Sequence, residues 1–293
     1  LRPASGWRSL YPQRAGLLES SQPAKAVYTY ILATLAANGT AKEQTMRRIA
    51  VALSKGGVGK TTTTVNLAAG LALAGRRVLI IDADTQGQVS KSLGVQPLAG
   101  LNELVAGEAD ADQAITPARE RLWVLAGSKN LAGLKRLIAR QEYGAERTLA
   151  NALAPLDERF DVVLIDTAPG WDVLTVNVLF YVNEVLTPVS LEVMTLQGLL
   201  DFARSLSDIQ RHRPELALRY VVPTFLDRRV RKTNEIMAQL QQHFPAQLCA
   251  PIRYNVRLSE APGYHQHIFE YAPRSPGAED YQALTERIAG DDT

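Results

Sequence analysis

Two regimes of apolar patterning alternate along the chain. In the first, short runs are mostly apolar: residues 49–53, 78–81, 121–126, 162–165, 184–189 and 218–223. Runs of that length without polar alternation mark strands covered on both faces, as in a parallel sheet between two helical layers. In the second regime, apolar residues recur every three or four positions, the spacing of a helix with one buried face. Residues 63–74 have helical composition, and the spacing itself is carried by Leu131, Leu134, Leu137 and Ile138, by Leu149, Leu153 and Leu156, and by Leu196, Leu199, Leu200, Ala203, Leu206 and Ile209 within 194–212. Val230, Met237, Leu240 and Phe244 form a further face, and Tyr281, Leu284 and Ile288 the last. Residues 91–120 show neither pattern and read as loop-rich. Strands and helices taking turns predict an α/β fold, a doubly wound and mainly parallel sheet with helices on both faces, binding its ligand at the C-terminal strand ends.

Three strand ends carry candidate chemistry. The first strand runs into Lys55-Gly56-Gly57-Val58-Gly59-Lys60-Thr61-Thr62 and then into a helix. The glycines let backbone N–H groups turn inward, and the positive end of the helix dipole points at the same spot, so the segment is a phosphate cradle. Lys60 is placed to reach the outer phosphates, and the Thr61 hydroxyl to complete a Mg²⁺ coordination sphere. The second strand ends in Asp82-Ala83-Asp84-Thr85-Gln86-Gly87-Gln88, with two carboxylates where α/β sheets bind ligands. The strand at 162–165 delivers Asp166 to its tip, where a carboxylate can hold a Mg²⁺-bound water.

The spacing K-G-G-V-G-K-T-T resembles the deviant Walker A motif of the ParA/MinD ATPases, P-loop NTPases by fold, and is closer to the ParA (Soj-type) partition branch. Asp166 matches the Walker B position, and Pro251-Ile252-Arg253-Tyr254-Asn255-Val256-Arg257-Leu258-Ser259-Glu260-Ala261-Pro262 resembles the family's I-P-R-N-V-R-L-S-E-A-P. The resemblance covers about residues 46–290. It implies ATP and Mg²⁺ as ligands, held by Lys55, Gly56, Gly57, Val58, Gly59, Lys60, Thr61 and Thr62, with Asn255 at the base and Thr61, Asp84 and Asp166 at the metal. It also implies catalytic roles for Lys55, which crosses to a partner's nucleotide in a homodimer, for Lys60, and for Asp84, which organises the attacking water with Asp82 in support. Thr85, Gln88, Arg253 and Tyr254 depart from the family pattern. In function the resemblance implies a switch ATPase that binds DNA non-specifically as an ATP-bound dimer and segregates chromosomes or plasmids, with hydrolysis stimulated by a ParB-like partner. The alternative within the same family is a MinD-like or other positioning ATPase acting on a membrane or a non-DNA cargo.

Composition narrows this picture. Net charge is only +2, and residues 1–48 hold seven Lys/Arg against two acids, which leaves the rest net acidic. DNA contact by the body therefore requires a local basic patch. Arg228, Arg229, Arg231 and Lys232 supply one, at a helix start where the dipole disfavours cations, and the resemblance adds Arg257 to Arg229 as DNA contacts. One cysteine, Cys249, excludes an intramolecular disulfide and an all-cysteine metal site within one subunit, and its apolar setting reads as a buried structural position. No apolar run reaches the roughly 20 residues of a spanning helix, and no basic amphipathic tail closes the chain, so stable membrane association is not expected. The expected location is cytoplasmic, on the nucleoid when ATP is bound. Residues 1–45 differ from the 46–293 ATPase domain: they are Pro-dotted and lack acids before Glu19, and Met46 stands just before the first strand. Three readings compete there, in order: a start assigned too early, a disordered basic arm, and a targeting peptide.

Overall fold

The computed structural model describes residues 46–227 and 229–291. Seven strands form one sheet: β1 (Arg47–Val51), β2 (Val78–Ala83), β3 (Ile115–Arg119), β4 (Leu122–Leu125), β5 (Val162–Thr167), β6 (Glu184–Ser190) and β7 (Ala217–Thr224). Their spatial order is β3-β4-β2-β5-β1-β6-β7, and every pairing is parallel except β3 with β4. The chain leaves β1 through α1 (Lys60–Leu73) and returns as β2, two places away, with the central β5 between them. In register Val51 lies beside Asp166, and Asp166 beside Asp82. The phosphate-loop strand and both acid-bearing strands are therefore neighbours.

Alternate residues of the strands face opposite layers, as the twofold strand period requires. Ile49, Val51, Val78, Ile80, Val162 and Leu164 pack under α1 and the C-terminal α10 (Pro276–Gly290). Ala50, Leu79, Ile81, Val163 and Ile165 pack on the other side with α4 (Leu131–Ala139), α5 (Thr148–Leu153), α6 (Val173–Tyr181), α7 (Val193–Gln210) and α8 (Arg231–His243). Two covered faces explain why the strands read as continuous apolar runs. Helix α1 is itself buried almost all round, and an added Cβ at Gly70 would collide with Thr285 of α10. Cys249 is buried, and burial pushes its thiol up to about 11, a structural position as its setting suggested.

Three local expectations are corrected. Residues 91–120 contain the end of α2 (Gln88–Leu93), all of α3 (Leu101–Ala106), a turn of helix at Ala111–Ala114, and β3. These pieces are six residues or fewer, too short to show periodicity, and are set by their ends: Gly94 and Gly107 close α2 and α3 in the left-handed conformation, and Asp110 with Gln113 forms a capping box. Leu137, grouped with the core leucines of α4, is 48% exposed. At about 100° per residue it is turned roughly a quarter-circle away from the buried line of Leu131, Leu134 and Ile138. Val230 is the residue before α8 and is exposed, so it lies outside the face formed by Ile236, Leu240 and Phe244. Residues 1–45, including the apolar stretch at 26–37, lie outside the described residues. Among the described residues no helix is long and apolar enough to cross a membrane.

One buried titratable group gives the fold a pH signature. His267 is 5% exposed, 3.5 Å from Glu270, and its Nδ1 has no hydrogen-bond partner among the described residues. Burial brings its pKa down to about 4; Glu270 favours the charged form and Arg119 opposes it. The folded protein thus holds a neutral ring, whereas the unfolded chain takes up a proton near 6.5. His267 costs nothing above pH 6.5, and its destabilisation grows as pH falls from 6.5 to 4, to about 3 kcal/mol at the limit. Urea unfolding across this range should show the decline, and His267→Gln should remove that share of the slope.

Candidate active site

The loop after β1 reaches α1 through two residues that need glycine. Gly57 and Gly59 have φ of 74° and 89°, a left-handed backbone that side chains disfavour, and Gly59 is the N-cap of α1. Space around Gly57 is open, while Val58 is buried and its carbonyl accepts from Thr224 Oγ1 at 3.0 Å. The end of β7 thereby props up the loop from one side. Phe225 follows with φ 58°, its ring beside Gly59.

Lys60 is 7% exposed and lies under this cradle, Nζ donating to the carbonyls of Leu53 at 3.2 Å and Lys55 at 3.0 Å. Burial lowers its pKa, against the attraction of Asp166 and Asp84. Thr61 donates to Asp166 Oδ2 at 2.6 Å, and Thr64, one turn on, donates to Asp166 Oδ1 at 3.2 Å. Asp82 is also fully buried; its two oxygens accept the N–H groups of Asp84 and Val89 at 3.0 and 3.1 Å. Burial first, and then the charge of a neighbouring acid, raise the pKa of both Asp82 and Asp166. Asp84 is half-buried at the rim, accepting from the Gln86 backbone N–H at 3.0 Å. Two buried carboxylates beside a threonine hydroxyl make a hard-oxygen donor set suited to Mg²⁺, and the adjoining amide cradle is suited to phosphate.

The remaining sequence-predicted residues are placed as follows. Lys55 points away from Lys60, to Thr195 Oγ1 at 2.8 Å and Glu192 at 3.1 Å at the start of α7. Asn255 caps α9 (Val256–Glu260), accepting from the Arg257 N–H at 2.9 Å. Arg253 is held by Asp280 at 2.7 Å and Glu279 at 2.9 Å, and fastens the segment to α10. Leu226 bridges to Arg253 and accepts from the Tyr254 N–H, so the turn after β7 runs beside the segment leading to Arg257. Arg229 lies on that turn, 87% exposed and paired with Asp227 at 2.7 Å; Arg257 pairs with Glu260 at 2.8 Å. Lys232 is exposed on the first turn of α8, Arg231 opens that helix, and Arg228 lies outside the described residues. Among the described residues no three or more His, Cys, Asp or Glu side chains gather as a metal-ligand group, so a metal at the cradle needs Thr61 and phosphate oxygens beside the carboxylates.

Four contributors were missed in the sequence. Thr64 was detectable, since it sits three residues after Thr61 on the same helix face. Glu192, Thr195 and Gly127 gave no local signal. An added Cβ on Gly127 would come within 2.5 and 2.7 Å of the carbonyl oxygens of Asp82 and Asp84. The β4–α4 connection thus presses on the acidic turn.

Comparison with known proteins identifies the family. A family model described as an AAA domain matches residues 46–218. The chromosome-partitioning ATPase Soj of Thermus thermophilus is 38% identical over 245 residues, 83% of this chain and 95% of that protein. The chromosome partitioning protein ParA of Myxococcus xanthus is 32% identical over 253 residues, covering 84% and 89%. Among solved structures, cobyrinic acid a,c-diamide synthase from Mycobacterium smegmatis with bound ADP and magnesium has a TM-score of 0.72 at 31% identity, covering 83% of this chain and 94% of that one. The septum site-determining protein MinD of Pyrococcus horikoshii, complexed with Mg-ADP, shares the fold at a TM-score of 0.71 and 24% identity, covering 85% and 99%.

Proposed function

The chain belongs to the ParA/Soj family of P-loop ATPases, and from that premise we propose that it is a nucleotide-timed switch that holds DNA non-specifically and serves chromosome or plasmid partition. The observation that carries this reading is the convergence of the glycine cradle, buried Lys60 and the Thr61–Asp166 pair at one strand edge. The amides of residues 56–62 and Lys60 hold the ATP phosphates. Thr61 and Asp166, with Asp84 at the rim, hold Mg²⁺, which when bound neutralises charge on the phosphate oxygens. Asp84 orients the attacking water, and Asp82 fixes Asp84 through its backbone N–H.

Lys55 is the residue that links two copies. To reach a partner's nucleotide it leaves Glu192, an exposed ion pair worth little, and the buried Thr195 hydroxyl, which keeps Ser190 as a partner. In the closed dimer the patches around Arg229 and Arg257 are doubled, so DNA affinity rises steeply with dimerisation. A ParB-like partner triggers hydrolysis, the dimer opens, and DNA is released. Since Asp227 and Glu260 neutralise these arginines locally, phosphates must compete for them.

DNA retention measured with ATP, with ADP and without nucleotide tests the reading. Retention should require ATP and fall steeply between low and physiological salt. Arg229→Glu with Arg257→Glu should leave ATP binding intact and weaken retention by about tenfold or more. Equal retention in all three nucleotide states would end this account.

A further inference from the structure

Helix α4 touches both acid-bearing loops. Its leading connection packs Gly127 against the Asp82–Asp84 turn, and Gly87 of that turn packs back on the Gly127 carbonyl. From the helix itself, Lys135 forms a 2.6 Å ion pair with Asp172, the N-cap of α6 in the loop after Asp166. The buried line of Leu131, Leu134 and Ile138 anchors the helix to the core.

The outer face is of a different kind. Residues 129–147 carry five Lys/Arg against two Glu, in a body that is otherwise net acidic. Lys129, Arg136 and Arg140 fall on one stripe at helical spacing and are exposed, and none of them has an ion pair among the described residues. The arginines expected to meet DNA, Arg229 and Arg257, are in contrast each matched by a nearby acid. Two large apolar side chains lie beside the stripe: Leu137 on the flank of α4, 48% exposed, and Tyr143 on the turn after it, 91% exposed. Uncompensated cations call for carboxylates or phosphates, and the apolar pair adds what a phosphate backbone would leave unused. Arg, Tyr and an aliphatic anchor together have the makeup of a protein-recognition patch.

We propose that the outer face of α4 and the turn after it, bearing Lys129, Arg136, Leu137, Arg140 and Tyr143, docks an acidic segment of a partner protein that carries apolar side chains between its carboxylates. The face stands beside both acidic loops and goes beyond the partition reading, since its occupant need not be the protein that stimulates hydrolysis. The complement is mutual: opposite charge steers the encounter, and the apolar contacts slow dissociation.

The test titrates full-length protein against a short fluorescein-labelled peptide of repeating Glu-Glu-Leu and, separately, a labelled DNA duplex with ATP. Wild-type protein should bind the peptide, with affinity lowered about tenfold or more by Arg136→Glu with Arg140→Glu, and several-fold by Leu137→Ala with Tyr143→Ala. Basal ATP turnover, the melting curve and ATP-dependent DNA retention should be unchanged in both variants. Absence of peptide binding by wild type, or equal binding by wild type and the charge-reversed variant, overturns the proposal. Loss of DNA retention with the peptide unaffected would also overturn it, making the face a nucleic-acid surface. Peptide binding of the expected pattern in a protein whose DNA retention ignores nucleotide would sink the partition reading while leaving this docking face in place.

Discussion

Lys60→Ala is expected to abolish ATP turnover, by at least about a hundredfold, while leaving the fold intact. Among the described residues no other Lys or Arg is buried, and this ammonium, attracted by Asp166 and Asp84, is already held by two loop carbonyls. Burial lowers its pKa, so the site holds this charge at a cost, and phosphate oxygens at the cradle would supply the compensating interaction. Alanine removes that cation beside the cradle, where it would offset negative charge on the terminal phosphate. The loop itself is held by other contacts, among them Thr224 on the Val58 carbonyl and the α1 N–H of Thr63 on Gly59, so a melting temperature within a few degrees of wild type is expected. Phosphate release and thermal melting on the same preparation separate the two effects. Turnover within tenfold of wild type would mean that the phosphates are held elsewhere.

The second large effect is expected at Gly127→Ala. A methyl group there would lie 2.5 Å from the Asp82 carbonyl oxygen, 2.7 Å from that of Asp84 and 2.9 Å from Asp82 Oδ1. Two of these atoms are backbone, so the acidic turn or the β4–α4 connection must move. Overpacking of this kind costs about 1–3 kcal/mol. It also shifts the carboxylates, and a displacement of about 1 Å at reacting groups costs up to about a hundredfold in rate. Gly133→Ala is the matched control: the same change on α4, at a residue with no atom within 4 Å of the added Cβ, expected to stabilise slightly. If the two variants melt and turn over alike, the contact between Gly127 and the acidic turn has no consequence.

Much of the site was legible because its parts are local. The spacing of Gly56, Gly57, Gly59, Lys60 and Thr61 is itself the loop-to-helix junction, and a single acid after an apolar run announces Asp166 at a strand tip. The parallel sheet was legible for a related reason, since strands covered on two faces have no polar side to show. The misreadings had two causes. The pieces between 88 and 119 are shorter than the period that would reveal them, and Leu137 and Val230 obey the apolar rule in composition while lying outside the buried stripe.

Sequence alone determined the α/β class, the glycine turn into a helix and the lysine, threonine and acids at the strand ends, because those depend on backbone freedom and spacing within a few residues. Tertiary structure decided that Asp82 and Asp166 are register neighbours buried together, that Lys55 rests on Glu192 and Thr195, that Arg229 and Arg257 are each neutralised by an acid, and that Gly127, in the connection after β4, packs against the acidic turn. The division follows from physics. A dipole, a cap or a glycine turn is set by the nearest few bonds, whereas burial, ion pairing and close backbone approach depend on which distant segments the sheet order places side by side.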